Sequence, residues 1–436
     1  MNAASVALQT FALTSTNKES LVFLLVLLTI VAIVYIVLTR SYTALNSTAT
    51  SSNIESIKAQ QKAIFEAKLS KEFKDRKTLL QAIQEQQVAE RENCLINFQP
   101  LTVIHPGYLG PVKDGVYDEA LGVQTAIRMG ARCFVLPIDY HDKDSMPPSF
   151  PPPLKPCLLF RDGSDTIRSL NGGSISKVAQ AIADIAWSNA VNQRNDPFIL
   201  ILYFMRAPKE GSKEYLDFLS EVARNLQPLL PYLLGQTPEG VYNRQARQDQ
   251  LLFVNSTNFE KKLLVFSNAD TSGFRTAQRD FKKTFLPKED LDYWVHMRIN
   301  KQNPETPLGI TLTAESGGIP RSFVETLSYY TSYPSDASSQ RKAIQMTKEK
   351  FILTLSPSGT LPELSTAKSV LDKYGVQAVP LFITDYSPET QALLNQWKYS
   401  WRAKPKEIRY VRPEPQVIAQ QSKKVNANQG SLTVPA

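Results

Sequence analysis

Histidine and cysteine are scarce in this chain of 436 residues, which contains three of each. Cys94, Cys133 and Cys157 form no CxxC pair, and three cysteines cannot build an even disulfide framework. The three histidines stand apart and lack the HExxH spacing of a zinc enzyme. The sequence therefore predicts no zinc site. It also contains no specific nucleic-acid motif.

Charged residues are absent from one long segment near the N-terminus. Leu21 to Thr39 gives nineteen residues without a charge, enough to cover close to the roughly 30 Å of a hydrocarbon core. The leader, residues 1–20, has Lys18 as its only basic residue, which does not resemble a cleaved signal peptide. We therefore predict a retained transmembrane helix and a single-pass membrane protein with lipid as one partner. The flanking charges leave its orientation open.

Composition divides the rest of the chain. Residues 40–53 are rich in Ser, Thr and Asn and predict a flexible linker. Residues 54–92 contain strong helix formers and neither Gly nor Pro, which predicts one stalk helix. Residues 93–413 form the predicted globular domain, and residues 414–436 a disordered basic tail. From Trp401 onward there are seven basic and two acidic residues. We expect the stalk and the tail to contact other proteins.

Strand and helix signals alternate through the globular domain. The apolar runs at 133–138 and 198–204 predict buried strands. Further strands are predicted at 101–104, 158–160, 263–266, 310–312, 351–355, 376–383 and 408–411. Residues 270–345 are less regular and predict a linker between two halves, 93–269 and 346–413. Roughly eight strands with intervening helices indicate an α/β protein built as an irregular (β/α)8 barrel.

Several segments resemble motifs of the phosphatidylinositol-specific phospholipase C (PLC) barrel, a family of phosphodiesterases with a TIM-barrel fold. AIRMGARCFVLPID, residues 126–139, is similar to its AL-x-x-G-C-R-C-V-E-L-D strand. VIHPGYL at 103–109 resembles S-H-N-T-Y-L, and KLLV at 262–265 resembles K-I-L-I. Near the end, YGVQAV and IRYVRP resemble G-C-Q-x-V-A and G-Y-V-L-K-P. The resemblance covers residues 101–413 and implies the fold of that family.

The same resemblance implies a site that this chain has largely lost. The family uses two histidines for acid–base and transition-state chemistry and a calcium ion held by oxygen ligands. His105 matches the first histidine. The remaining functional positions carry other residue types: Pro106, Val135, Pro137, Arg161, Tyr203, Phe266, Asn268 and Thr354. Because valine and proline cannot ligate calcium, we expect no cofactor at the family's location.

A shifted site is the alternative. Asp139, His141, Asp142, Asp162 and Asp165 follow predicted strands, at the barrel end where chemistry sits. In this hypothesis His105 acts as the catalytic group, Arg161 binds phosphate, and Asp139 with Asp162 holds calcium. It fails if the carboxylates lie more than about 6 Å apart, too far to share one calcium ion.

Two functions follow from these alternatives. The first is a membrane-anchored pseudoenzyme in which the barrel is a structural or interaction scaffold. One setting that suits it is a large virus particle, where such a protein would join a membrane to a protein shell in the virion or at a host internal membrane. The second is a divergent phospholipid phosphodiesterase.

Overall fold

The computed structural model describes residues 26–32, 35, 51–72, 76–110, 114–142, 146–235, 250–279, 288–301, 321–326, 330, 336–356, 364–382, 392–394 and 397–414. The helices are α1 (Ser51–Glu72), α2 (Leu79–Glu85), α3 (Glu119–Arg128), α4 (Ile175–Ile185), α5 (Lys213–Asn225), α6 (Ser272–Arg279), α7 (Leu291–Trp294), α8 (Ala337–Glu349) and α9 (Leu364–Ser369). The strands are β1 (Phe98–Pro100), β2 (Thr102–Ile104), β3 (Tyr108–Leu109), β4 (Val116–Tyr117), β5 (Cys133–Asp139), β6 (Cys157–Leu158), β7 (Phe198–Phe204), β8 (Leu263–Ser267), β9 (Met297–Lys301), β10 (Arg321–Thr326), β11 (Ile352–Leu355) and β12 (Trp401–Ala403).

Seven strands form a parallel sheet in the order β2, β5, β7, β8, β9, β10, β11. The chain after α9 connects its two edges, because Ala378 bridges Leu353 and Leu381 bridges Val103, both in parallel. Eight parallel segments therefore follow one another in a ring. This confirms the predicted α/β class with a parallel central sheet and is consistent with the predicted barrel.

Side chains of the ring strands alternate between two apolar clusters, as the period of two requires. Val135 of β5 and Ile201 of β7 belong to the inner cluster, together with Phe266 of β8. Phe134 and Leu200 belong to the outer cluster, which the helices cover. Both faces of the parallel strands are thus buried, which explains why β5 and β7 are continuous apolar runs.

The prediction of a single stalk helix over residues 54–92 is wrong, because the structure has two helices there. Helix α1 ends at Glu72, and α2 begins after Thr78, whose side chain accepts a hydrogen bond from the Gln81 amide in a capping box. The intervening chain is tied to the barrel: Arg76 is buried and donates to the carbonyls of Leu394, at 2.9 Å, and Trp397. The composition favoured one helix because the junction contains neither Gly nor Pro.

Other predicted elements also need correction. The segment predicted as a strand at 158–160 is the short β6, which pairs antiparallel with β5 outside the ring. The predicted linker 270–345 contains two ring strands, β9 and β10, whose mixed polar sequences gave no strand signal. Residues 406–408 form a 3-10 turn where a strand was predicted at 408–411. The predicted strand at 310–312 lies outside the described residues.

The predicted membrane segment lies mostly outside the described residues. Residues 26–32 and 35 are helical, and their large apolar side chains are exposed. Among the residues described, no helix is both long and apolar enough to cross a bilayer.

The predicted disordered tail lies outside the described residues from position 415 onward, and the basic residues just before it belong to the folded domain. Arg402 donates to Asp372 at 2.7 Å, and Arg409 donates to Glu92 at 2.9 Å. Lys404 is fully buried and donates to the Thr347 carbonyl at 2.7 Å. Desolvation holds the pKa of Lys404 well below its usual range. Much of the positive charge counted from residue 401 onward therefore belongs to the folded domain.

Candidate active site

The C-terminal ends of the ring strands carry the polar residues singled out by the sequence. His105 follows β2 directly, Asp139 ends β5, and Arg206 comes two residues after β7. We call the rim formed by these three residues and their loops the mouth. Arg161 also lies there, because it contacts Asp139. The structure thus brings Asp139 and Arg161 together and places His105 on the same rim.

His105 is held in an aromatic cage. Its Nδ1 lies 3.0 Å from the Tyr117 hydroxyl, and the ring of Phe160 is 4.9 Å away between centroids. The rings of Tyr108 and Phe382 each lie at 6.2 Å. Its backbone is in the left-handed region, with φ of 51°, a conformation that histidine tolerates better than most residues.

This cage decides the protonation state of His105. Desolvation lowers the pKa of the imidazole to about 3, so the ring is neutral at physiological pH. A general base works best with a pKa near the operating pH, and His105 is therefore a weak base. Burial also raises the pKa of Tyr117 well above its usual range, which leaves that phenol neutral beside it.

Asp139 and Arg161 form a buried ion pair. The Arg161 Nε lies 2.6 Å from Asp139 Oδ2, and the two side chains are 12% and 2% exposed. Asp139 Oδ1 accepts the Tyr140 amide at 2.7 Å. Arg161 also donates to the carbonyls of Tyr140 and Asp165, at 3.0 and 2.9 Å. The guanidinium therefore donates all of these hydrogen bonds to acceptors of the protein itself. Its positive charge balances the negative charge of the Asp139 carboxylate.

Asp162 belongs to a separate arrangement. Its Oδ1 accepts the Ser164 hydroxyl at 2.6 Å and the amides of Ser164 and Thr166 at 3.0 Å. Its Oδ2 accepts a hydrogen bond from Arg168 Nε at 2.5 Å. The hydrogen bond from Ser164, followed by those from Thr166 and Arg168, holds the pKa of this carboxyl well below its usual range. Asp162 is thus a turn residue whose oxygen atoms are already bound.

The two acidic residues of the shifted-site hypothesis are bound by different arginines. Within the described ranges, no group of three or more His, Cys, Asp or Glu side chains is placed to hold a metal ion. His141 is buried, and its Nε2 contacts the Pro151 carbonyl at 2.6 Å. These contacts give Asp139, His141 and Asp162 a role in holding the mouth loops, whereas Asp142 is exposed.

The positions that the PLC resemblance assigns to calcium ligands lie in the barrel body. Val135 and Tyr203 are fully buried in the inner apolar cluster, and Pro137 is also buried. Phe266 stands at one of two positions where the resemblance implies a lysine, and its side chain fills the same interior. Asn268, at the other, accepts the Phe204 amide at 2.7 Å and donates to its carbonyl, which joins β7 to β8. The donor set does not fit calcium, which needs several oxygen ligands.

Some mouth residues could not be found from the sequence. Phe160 and Phe382 enclose His105 from distant parts of the chain, and an isolated phenylalanine carries no signal of such a role. Arg206 pairs with Asp165 across the loops after β6 and β7. The aromatic cage and these ion pairs therefore line this rim.

A cavity of about 440 Å³ lies beside the loop 146–156, which is rich in proline, and is lined in part by Phe150, Pro151, Lys155, Gly172 and Glu221. His105 is not among its lining residues. The cavity is therefore separate from the family's catalytic position.

No family model and no curated protein matches the chain. Solved structures similar to it include PLC21 of L. pealei, with 12% identity and a TM-score of 0.47, and PLC21 of S. officinalis, with 13% and 0.46. Each match covers 74% of this chain and 38% of the other. A calcium-dependent phosphoinositol-specific phospholipase C from Pseudomonas sp. has 13% identity and a TM-score of 0.40, over 72% of this chain and 96% of that one.

These identities and TM-scores are low. The chain also spans only 38% of the length of the PLC21 chains. The description of the fold therefore rests on the strand pairing of this chain.

Proposed function

We propose that this chain is a membrane-anchored barrel of the phospholipase C type that has no phosphodiesterase activity and serves as a structural or interaction scaffold. The observation that carries the proposal is that buried, uncharged side chains occupy the positions where the family has its calcium ligands. Val135, Pro137 and Tyr203 are buried there and present no carboxylate. Without hard oxygen ligands there is no cation to neutralise a phosphate.

The state of His105 supports the same function. A single acid–base group contributes about 10²–10⁴-fold to a rate, far below the acceleration that phosphodiester cleavage requires. Here even that contribution is reduced, because the pKa of His105 is about 3. Arg161, which the alternative assigns to phosphate, is bound to Asp139.

The full-length chain incubated with phosphatidylinositol vesicles and calcium tests this proposal. We expect no release of water-soluble inositol phosphate above that from protein-free vesicles. The divergent-phosphodiesterase alternative predicts turnover that His105→Ala abolishes and that the control His141→Ala, at a loop-holding residue, retains. That result would refute the scaffold proposal.

The scaffold role itself needs a second measurement. Crosslinking in the native membrane should capture a reproducible set of protein neighbours, and their identity would also test the virion setting. A chain that remains uncrosslinked to any protein would contradict the role.

A further inference from the structure

A smaller cavity, of about 110 Å³, lies at the end of the barrel opposite the mouth, which we call the far end. Three segments line it: the start of α2 with Leu79 and Leu80, the residues Asp196 and Pro197 just before β7, and the turn before β8 that includes Glu260. Pockets for drug-sized ligands measure about 300–1,000 Å³. This far-end cavity therefore has room for one side chain rather than for a larger molecule.

Two hydroxyl groups that line the far-end cavity are available only as hydrogen-bond acceptors. Ser256 donates its hydroxyl proton to Asn93 Oδ1, and Thr257 donates its own to Asn255 Oδ1 at 2.9 Å. A hydroxyl has one proton and two lone pairs, so each oxygen can accept a further hydrogen bond but cannot donate one. The hydroxyls therefore favour a ligand that donates.

Asn195 adds a further acceptor to the far-end cavity. It is one of the lining residues, and its Oδ1 is buried and accepts no hydrogen bond from any described residue. A buried acceptor without a donor is costly. A donor that enters the cavity would remove this cost.

Glu260 gives the far-end cavity a negative charge. This residue is exposed and makes no ion pair within the described ranges. The two lysines that follow it in the chain, Lys261 and Lys262, are not among the described residues that line the cavity, and neither is any other Lys, Arg or His. The charge of Glu260 is therefore available to a cation that enters the cavity.

Asp196 is a second carboxylate of the far-end cavity and is 4% exposed. It accepts the Leu79 amide at 3.1 and 3.2 Å and also the Ser400 hydroxyl, so it holds the start of α2 in place. Buried Arg132 offsets part of its charge from outside the cavity. Asp196 is therefore both a structural residue and part of the acceptor-rich wall.

Leu80 gives the far-end cavity an apolar edge. Its side chain is 50% exposed, and Leu79 and Pro197 are buried beside the same cavity. A ligand with an aliphatic stem and a cationic head could lay its stem on this leucine while its head reaches the acceptors. Lysine has this form, because its ammonium carries three donors on a four-carbon stem.

We propose that the far-end cavity binds the side chain of a lysine presented by a partner protein. The ammonium lies among Asn195, Asp196 and Glu260, and the stem packs against Leu80. The proposal rests on the scaffold role in the proposed function and names the chemistry of one partner. It places that partner at the end of the barrel opposite the mouth.

A pair of small probes tests the chemistry of the far-end cavity. Saturation-transfer NMR of the detergent-solubilised full chain compares N-acetyl-lysine N-methylamide with N-acetyl-norleucine N-methylamide, which lacks the ammonium. Fragments of this size bind with a Kd on the order of 1 mM. We expect the lysine probe to bind at least about ten-fold more tightly than the norleucine probe. Equal binding of the two probes, or no binding of either, would overturn the proposal.

Two variants locate the binding of the lysine probe. Asn195→Ala and Glu260→Gln should each weaken it by at least about three-fold. Both should fold, because the Asn195 side chain makes no hydrogen bond and Glu260 no ion pair within the described ranges. The control Glu407→Gln changes the same charge at an exposed position outside the cavity and should leave binding unchanged. Binding that is unchanged in both variants, or equally weakened in the control, would overturn the site.

Carbodiimide treatment of the native membrane tests the partner. This reagent joins a carboxylate directly to an amine in contact with it, so we expect mass spectrometry to find Glu260 linked to a lysine of another protein. Links from Glu260 only to lysines of this chain, such as Lys423 or Lys424, would overturn an external partner. Neighbours captured by other crosslinkers but never through Glu260 would overturn the site and leave the scaffold role intact. A chain without any captured neighbour would overturn both.

Discussion

The Asp139–Arg161 pair shows how a contact between two side chains determines the chemical character of the mouth. A carboxylate at the end of a barrel strand is a candidate for chemistry, and the sequence alone allowed Asp139 to bind calcium. With Arg161 Nε at 2.6 Å and an exposure of 2%, this carboxylate is instead a structural charge. Removing one member of such a pair leaves the other desolvated and unpaired.

Arg161→Ala should therefore lower the free energy of unfolding by about 3–5 kcal/mol, the usual cost of leaving a buried charge without its partner. Urea denaturation of the detergent-solubilised chain measures this. Arg168→Ala is the matched control, because the Arg168 and Asp162 side chains are 32% and 24% exposed. We expect it to cost about 1 kcal/mol or less. Equal losses in the two variants would contradict a structural role for Arg161.

His105 gives a pH-dependent prediction. Because burial lowers its pKa from 6.5 to about 3 in the folded state, the unfolded chain binds a proton that the folded chain rejects. Its contribution to stability is complete above pH 6.5 and is lost as the pH falls from 6.5 towards 3. The slope from this group is at most about 1.4 kcal/mol per pH unit.

His105→Asn should reduce the slope of the free energy of unfolding against pH below pH 6.5. Asparagine is chosen because it also tolerates the left-handed backbone conformation. Urea midpoints between pH 4 and pH 7 measure the effect. His296, whose pKa burial lowers to about 4, remains in both proteins and serves as a common background. An unchanged slope would show that the imidazole is accessible to protons in the folded chain.

Among the elements, α3 lies unusually close to the backbone that carries His105. A Cβ added at Gly122 would meet the Pro106 carbonyl oxygen at 2.4 Å and the Gly107 Cα at 2.9 Å. Both neighbours are backbone atoms, so neither can move as a flexible side chain would. Gly122 therefore allows the helix to approach the loop after β2.

Gly122→Ala should destabilise the chain by about 1–3 kcal/mol, the range for overpacking a close contact. It should also weaken the contact between His105 and Tyr117. Thermal unfolding and the imidazole NMR signal measure the two effects. Gly235→Ala, where an added Cβ meets nothing within 4 Å, should change stability by less than about 0.5 kcal/mol. Similar values for both variants would contradict the packing argument.

Elements with a strong local signal were predictable. Strands β5, β7 and β8 are apolar runs. The helical segment Val370–Tyr374 that follows α9 ends at Gly375, with φ of 72°, and glycine is the usual residue at such a helix end. Strands β9 and β12 were missed because MRINK and WRA are short and mixed in polarity. Their pairing depends on distant neighbours, which a local pattern does not encode.

At the scale of the whole molecule, the sequence predicted the strand–helix alternation and a site at the strand ends. The ring is completed by Ala378 and Leu381, which form single bridges instead of a regular strand. The sequence also indicated that Asp139 and Asp162 follow predicted strands. It could not give the aromatic cage or the ion pairs, because Phe382 and Arg206 reach the mouth only through tertiary packing.

Thermal unfolding with and without calcium tests most directly whether the mouth lacks the family's cation site. A site with a Kd of about 10 μM would stabilise the chain by about 2.7 kcal/mol at roughly 1 mM calcium. We predict no change in Tm beyond that produced by magnesium at the same concentration. A saturable rise in Tm that is specific to calcium and lost in Asp139→Asn would contradict the account.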